Sequence, residues 1–391
     1  MTPAARVQAA IEILDEVIAS ARDDGAPADT IVQRYFKSRR YAGSKDRRAV
    51  RELVYRAIRR AGDRPDSGRA AMVGLANDDP EIAGLFDGSP HGPAPINGEA
   101  GATSGLIPGW ATSELSPLLG EGEWPALLDR APLDLRVNIA RTNVEAAQAA
   151  FEGAEPTMLS PWALRLPPDT RVDDHELFQT GLIEVQDEGS QLIALAALAK
   201  NGELVLDLCA GAGGKALAIA AASPGAGIIA SDTNRARLSQ LEPRANRAAA
   251  VIETMLLDGN REAEQLAGLA GKCDVVLVDA PCSGSGTWRR IPEGRWRLTP
   301  ERLDRVVALQ ARLLDLAAMM VKPGGRLVYA TCSILAREGA GQIADFLGRH
   351  SSWTVQDVGF DGGRQDGAGR LLTPEHDRTD GFFVARLGRP C

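Results

Sequence analysis

Two cysteines sit behind short turns fifty residues apart, in Asp279-Ala280-Pro281-Cys282-Ser283 and Ala330-Thr331-Cys332-Ser333. Each turn follows a short apolar run, Val275 to Val278 and Arg326 to Tyr329, of the kind that forms a buried parallel strand. In an open α/β sheet ligands collect at the carboxyl ends of the strands. Two thiols and the carboxylate of Asp279 can therefore meet one substrate there. One chemistry that needs such a set is methylation of a pyrimidine. C5 of cytosine is too weak a nucleophile to accept a methyl group unaided, and addition of a thiolate to C6 makes it enamine-like. A carboxyl group near N3 stabilises the adduct, and a second thiol helps to release the enzyme. The base must be single-stranded or flipped out to be reached. Each cysteine alone reads as strand-end packing; their joint placement beside an acid favours chemistry.

A second loop supplies the other half of such a reaction. Asp207-Leu208-Cys209-Ala210-Gly211-Ala212-Gly213-Gly214-Lys215 lies between a predicted strand, 204–208, and a predicted helix, 214–222. Glycines let the backbone approach a ligand, and the helix N-terminus favours negative charge. The loop is no phosphate-binding Walker loop, because Cys209 stands where a Gly is needed and Ala216 where Ser or Thr is needed. It does satisfy G-x-G-x-x-A through Gly211, Gly213 and Ala216, so a dinucleotide cofactor is an alternative. Asp232, at the end of the next predicted strand, suits ribose hydroxyls, and Asp258, after the third, suits the amino group of adenine. Both fit NAD and S-adenosylmethionine alike. The cysteine pair has no task in hydride transfer and favours the methyl donor.

The elements around these residues alternate. Helix 187–200, strand 204–208, helix 214–222, strand 228–232, helix 234–248, strands 252–257 and 274–279, helix 300–321, strand 326–330, helix 337–349 and strand 382–386 predict an α/β, Rossmann-like domain with a mainly parallel, doubly wound sheet. Ahead of it, strand-like 133–138 and 162–166 flank a helical 144–151, a small α/β piece. Residues 3–60 carry helical periodicity in Val7, Ile11, Leu14, Val17, Ile18, Ile31, Val32, Tyr35, Val50, Leu53, Val54, Ala57 and Ile58. Residues 86–109, rich in Gly and Pro, form a loop. The expected domains are a helical region with linker at 1–130, a small α/β subdomain at 131–177 and a catalytic domain at 178–391.

Composition bounds the setting. With 44% hydrophobic and 25% charged residues the chain reads as an ordinary soluble protein. The longest apolar stretch, near Leu192 to Ala199, is too short to span a bilayer. Arg6, Glu12, Asp15 and Glu16 leave no signal-peptide core, which predicts a cytoplasmic location without membrane attachment. Five cysteines without a CxxC pair exclude a disulfide framework, and Cys209, Cys273 and Cys391 read as small buried hydrophobes. His91, His175, His350 and His376 are scattered, so no metal is expected. The net charge of −8 speaks against a nonspecific nucleic-acid coat, but its distribution is uneven. Between Ile31 and Arg60 nine Arg and two Lys stand against Asp46 and Glu52 alone. A second basic cluster holds Arg289, Arg290, Arg295, Arg297, Arg302, Arg305 and Arg312. Charge by itself fits a solvated helix surface as well as an RNA contact.

The motifs together resemble the RNA cytosine-C5 methyltransferases of the RsmB/NOL1/NSUN family. The similar strings are Asp279 to Thr287, Ala330 to Ser333, Phe178-Gln179-Thr180-Gly181, Val185 to Ser190 and Thr379-Asp380-Gly381-Phe382-Phe383, within a match from about Leu133 to Leu387. The helical N-terminus, with Tyr41 to Arg48, resembles the NusB-like RNA-binding domain of the bacterial RsmB branch. The resemblance implies that Cys332 attacks C6, Cys282 assists release and Asp279 contacts the base, lying near the cofactor as well. It implies that Cys209, Ala210, Gly211, Ala212, Gly213, Gly214, Lys215, Asp232 and Asp258 line S-adenosylmethionine. The implied partner is RNA, foremost 16S rRNA or a small-subunit assembly intermediate, touched by Arg39, Arg40, Lys45, Arg47, Arg48, Arg289 and Arg290. A tRNA methyltransferase and an RNA-binding scaffold with an inactive α/β domain are the alternatives. Three positions depart from the family pattern: Ala212 replaces the usual Pro, Ile291 a common Asn, and Gly339 the Asn of a Glu-Asn pair.

Overall fold

The computed structural model describes residues 1–391, which divide into two compact units. The first comprises 1–115, 119–129 and 287–303; the second comprises 116–118, 130–286 and 304–391. The segment 287–303, expected inside the catalytic domain, thus clusters with the N-terminal helices. Its anchor is chemical. Trp296 is buried in the helical core and its indole Nε1 donates to the Ala61 carbonyl at 2.9 Å. Arg295, 1% exposed, donates to the carbonyls of Ile58 (2.7 Å) and Leu106 (2.6 Å). It thereby covers carbonyls that the end of helix Ser44–Arg60 leaves without partners.

Helices Pro3–Arg22, Ala28–Lys37, Ser44–Arg60 and Gly68–Asp78 build the rest of that unit. The apolar stripe read from the sequence is its core: Val7, Ile11, Leu14, Val17, Ile31, Val32, Tyr35, Val50, Val54, Ala57 and Ile58 are buried, with Ile18 and Leu53 at its margin. Thr2 and Ser67 cap two of the helices by accepting the amides of Ala5 and Ala70, which supplies partners to orphan first-turn donors.

The second unit holds two sheets. The small one is antiparallel, ordered β2-β3-β1-β4, with β1 Leu133–Val137, β2 Glu155–Pro156, β3 Ala163–Leu166 and β4 Ile183–Val185. Its fourth strand lies beyond residue 177, where the small subdomain was expected to end. The pairs Leu135↔Val185 and Val137↔Ile183 draw that segment back to β1. Leu135, Val137, Phe151, Leu164, Leu166 and Ile183 pack its core.

The large sheet contains β5 Leu204–Asp207, β6 Gly227–Asp232, β7 Glu253–Leu256, β8 Cys273–Asp279, β9 Val321–Thr331, β10 Thr354–Gln356, β11 Arg364–Asp366, β12 Gly369–Leu372 and β13 Phe382–Gly388. Strands β9-β8-β5-β6-β7 run parallel, and β13, β12, β11 and β10 add an antiparallel wing beyond β9. The apolar β5, β8 and β9 are buried on both faces, as their continuous Val and Leu runs require. The order reverses between β5 and β8, since β6 and β7 lie on one side of β5 and β8 and β9 on the other. That reversal opens a crevice at the strand ends. The helix expected over 234–248 is two pieces, Arg235–Leu238 and Leu241–Ala248. Pro243 is the reason: it lacks the amide a continuous helix needs and is tolerated only in a first turn.

Candidate active site

Asp232, Asp279, Cys282 and Cys332 stand at or just past the carboxyl ends of these strands. β8 and β9 are parallel neighbours with Asp279 opposite Ala330, so both strands end at the same level. Cys282 follows β8 and Cys332 follows β9, and their Sγ atoms are 3.3 Å apart. The pair expected from sequence is one contact. The loop ends are locked, because the Gly286 amide donates to the Cys332 carbonyl (3.0 Å) and the Ala280 amide to the Ala330 carbonyl (2.9 Å). Both thiols are half-buried. The hydrogen bond to Cys332 pushes the Cys282 thiol well above its usual range, with burial and the charges of Cys332 and Glu338 adding to it.

Lys215 does something the sequence did not indicate. Expected in the cofactor turn, it reaches across the strand ends and donates from Nζ to Asp279 Oδ2 at 2.6 Å. Its chain is buried, at 9% exposure. Burial acts to lower the ammonium's pKa, but the charges of Asp279, Cys332 and Asp207 prevail and hold it above its usual value. A positive charge therefore stands beside Asp279 and near Cys332.

Beside the pair lies a cavity of about 470 Å³ lined by Cys209, Asp232, Arg237, Glu262, Asp279, Pro281, Cys282, Arg312 and Cys332, with Leu309, Leu313 and Leu316 as its apolar wall. Of the turn segment Leu208 and Cys209 line the cavity, whereas residues 210–215 lie outside its lining. Gly211 and Gly213 have φ of +54° and +80°, and Gly213 leads into helix Gly214–Ala222. A Cβ on Gly213 would lie 2.0 Å from the Leu241 side chain at a φ that favours glycine, so another residue would be strained and would have to displace Leu241. Asp232 is tied to the turn, its two oxygens accepting the amides of Gly211 and Asn234 at 2.7 Å each. Asp258 sits two residues past β7 with its side chain exposed, outside the lining. Glu262, on the following turn, lines the cavity instead, in a bidentate ion pair with Arg312 (2.9 and 3.0 Å). No motif signalled that pair, whose members are fifty residues apart.

The basic residues separate into distinct groups. Arg40, Lys45 and Arg48 are exposed. Arg39 pairs with Glu12 (3.3 Å) and stacks 3.6 Å over the Tyr35 ring, and Arg47 donates to the Ala42 carbonyl (2.9 Å). Arg290 is exposed, but Arg289 is buried. The expectation that Arg289 offers its charge to RNA is corrected by that burial, which commits its side chain to the interior of its unit. Two of the motif departures have local accounts. Ala212 stays in a turn whose shape is set by Gly211 and Gly213. Gly339 faces Phe383, whose ring carbons would lie 2.8 Å from an added Cβ, so an Asn there would have to displace that ring.

Two thiols in contact over a glycine-turn cavity, in a sheet with this strand order, already narrow the reaction class, and comparison with known proteins decides the family. Residues 193–388 match the family described as 16S rRNA methyltransferase RsmB/F. The chain belongs to that family. The Ribosomal RNA small subunit methyltransferase B of Enterobacter sp. (strain 638) is 34% identical over 290 residues, covering 72% of this chain and 66% of the relative. That of Pectobacterium carotovorum subsp. carotovorum (strain PC1) is 33% identical over 291 residues, with the same coverage. The match thus spans just under two thirds of the length of these relatives. Among solved structures, PH0851 superposes with a TM-score of 0.75 at 24% identity, covering 99% of both chains. NSun6 from Pyrococcus horikoshii, solved with SFG, gives 0.60 at 17% identity, covering 70% of this chain and 95% of that one. These likenesses are of fold.

Methyltransferases of the RsmB/F family take their methyl group from S-adenosylmethionine, and the cavity fits that donor. Asp207, at the end of β5, is buried with neither carboxylate oxygen hydrogen-bonded. Burial, then the charge of Asp279, pushes its pKa up to about 7. The charge of Lys215 opposes that rise, and Asp207 lies outside the cavity lining, so the groups that face a cationic donor there are the carboxylates of Asp232, Glu262 and Asp279.

Proposed function

We propose that the chain transfers a methyl group from S-adenosylmethionine to C5 of a cytosine in RNA, through a covalent bond between Cys332 and C6. The observation that carries this reading is the 3.3 Å contact of Cys282 and Cys332 beside the Lys215–Asp279 pair. Two thiols, an acid and a cation at one point suit this chemistry, and the family of the chain favours it over thiol–disulfide exchange. Small-subunit ribosomal RNA as substrate is supported by the family's description and by the names of the relatives.

In this reading Asp232 holds the ribose hydroxyls, for each of its oxygens already accepts one amide and keeps further acceptor capacity. Cys209 and the turn 210–214 cradle the rest of the donor, and Glu262, which lines the cavity where Asp258 does not, is the acid at hand for the adenine edge. When bound, S-adenosylmethionine supplies an electrophilic methyl group. Cys332 gives up its proton to solvent, its sulfur adds to C6, and the C5–C6 electron pair becomes available at C5. Asp279, steadied by Lys215, hydrogen-bonds the base near N3. Once Cys332 is bonded to carbon it carries no charge. That removes the first cause of the raised Cys282 pKa, so Cys282 can give up its own proton to solvent and, as the thiolate, take the C5 proton. The C6–S bond then breaks, its electron pair stays on sulfur, and the C5=C6 bond re-forms. The helical N-terminal unit, with exposed Arg40, Lys45 and Arg48, serves as the RNA-binding, NusB-like part.

Methyl transfer from labelled S-adenosylmethionine to an unmodified 16S rRNA transcript tests the assignment. Cys332→Ala should reduce transfer to background, and full activity of that variant would contradict it. Nuclease digestion of the product should yield 5-methylcytidine; label on any other base would also refute the reading.

A further inference from the structure

Behind the cysteine pair lies a carboxylate to which no role has been given. Glu338 is fully buried and none of its contacts is a cation. Its Oε1 accepts the Ser283 amide (2.8 Å) and the Gln310 side-chain amide (2.9 Å), and its Oε2 accepts the Ser333 hydroxyl (2.6 Å). Its own carbonyl accepts the Tyr329 hydroxyl at 2.9 Å, which ties it to β9. Ser283 follows Cys282 directly, and Ser333 follows Cys332. Gln310 also donates to the Pro281 carbonyl (2.9 Å), on the other side of Cys282. The Ser285 hydroxyl joins Ser333 at 2.9 Å and accepts the Ile334 amide at 3.0 Å, closing the network between the loops. All the donors to this carboxylate therefore lead to one or other cysteine loop. Burying a charged carboxylate without a cation is costly, and a fold that needed only to fill the space would use an apolar side chain. The arrangement makes sense as a brace between two sulfur-bearing loops that must stay in contact while one of them is bonded to a substrate.

We propose that Glu338 is a positioning residue that holds the Cys282 and Cys332 loops in register, so that Cys282 remains within reach of the Cys332–cytosine adduct and releases it. This rests on the covalent mechanism above. A misplacement of about 1 Å at a reacting group costs on the order of 100-fold in rate. Loss of the brace should fall on the release step, which needs both loops, rather than on the attack, which needs Cys332 alone.

The test compares the full-length wild-type protein with Cys282→Ala, Glu338→Ala and Glu338→Gln. Each is incubated with S-adenosylmethionine and an unmodified 16S rRNA transcript and resolved on a denaturing gel for protein–RNA adduct. S-adenosylmethionine binding by calorimetry is measured alongside. Glu338→Ala should accumulate adduct to near the Cys282→Ala level, lose about 100-fold in multiple turnover and bind S-adenosylmethionine with unchanged affinity. Glu338→Gln, which keeps a carbonyl for Ser283 and Gln310, should lie between it and the wild type. Adduct with Cys282→Ala but none above the wild-type level with Glu338→Ala overturns the brace and leaves the mechanism standing. Absence of adduct with Cys282→Ala overturns the mechanism itself. Should Glu338→Ala fail to bind S-adenosylmethionine, Glu338→Gln decides: adduct above the wild-type level supports the brace, and the wild-type level refutes it.

Discussion

At the scale of single residues the site is a set of charges arranged around two sulfurs. Lys215 is the least expected member, because a lysine at the end of a glycine turn reads as a ligand for the cofactor. Here it is paired with Asp279 and buried, and its charge is held by the acids and the sulfur around it. Lys215→Met should therefore lower the rate of adduct formation more than the affinity for S-adenosylmethionine, which single-turnover kinetics and calorimetry separate. Equal losses in both would return Lys215 to the cofactor. Asp207 makes a prediction about pH. Its folded pKa of about 7 lies above its unfolded value near 4, so between those limits the folded state binds more protons than the unfolded one. Stability contributed by the neutral form is then present at low pH and lost as pH rises towards 7. In the absence of ligand, Asp207→Asn should raise the melting temperature at pH 8 and change it little at pH 4. A gain at pH 4 equal to that at pH 8 would show that Asp207 is ionised throughout.

At the scale of elements, what could be read from the sequence was what carries its own signal. Helix Gly214–Ala222 and strands β5, β6 and β8 stand where apolar runs and glycines put them. Strands β10 and β11, in Thr354-Val355-Gln356 and Arg364-Gln365-Asp366, are three residues each and polar. They exist because β13 and β12 offer them partners, not through any preference of their own. The site divides the same way. The cysteine turns are visible locally, whereas the Glu338 network joins residues up to 55 positions apart and has no local mark. The tail motif Thr379 to Phe383 acquires a reason only in three dimensions. Gly381 donates to the Gly286 carbonyl at 2.8 Å, and a Cβ on Gly286 would lie 1.9 Å from the Gly381 carbonyl oxygen. The C-terminal wing thus abuts the Cys282 loop backbone to backbone. Gly286→Ala should displace that loop and cost about 1–3 kcal/mol of stability, read by denaturant unfolding. A cost below about 0.5 kcal/mol would mean that the two backbones separate freely.

At the scale of the whole molecule, a chain of net charge −8 concentrates basic residues in one stretch of its helical unit. Much of that charge is already used internally: Arg34 pairs with Glu16, Arg51 with Asp29 and Arg56 with Asp79. Arg40, Lys45 and Arg48 are among the exposed residues that form no such pair. If they touch phosphates, replacing all three with Ala should weaken RNA binding and flatten the plot of log affinity against log salt by about 2 units. An unchanged slope would assign them to solvation alone. The central claim concerns the bond between Cys332 and the base, and one measurement reaches it directly. Cys282→Ala, incubated with S-adenosylmethionine and an unmodified 16S rRNA transcript, is digested with protease and nuclease and examined by mass spectrometry. The account predicts a peptide containing Cys332 that carries a methylated cytidine. A peptide modified at another residue, or adduct-free protein with methylated RNA, would contradict it.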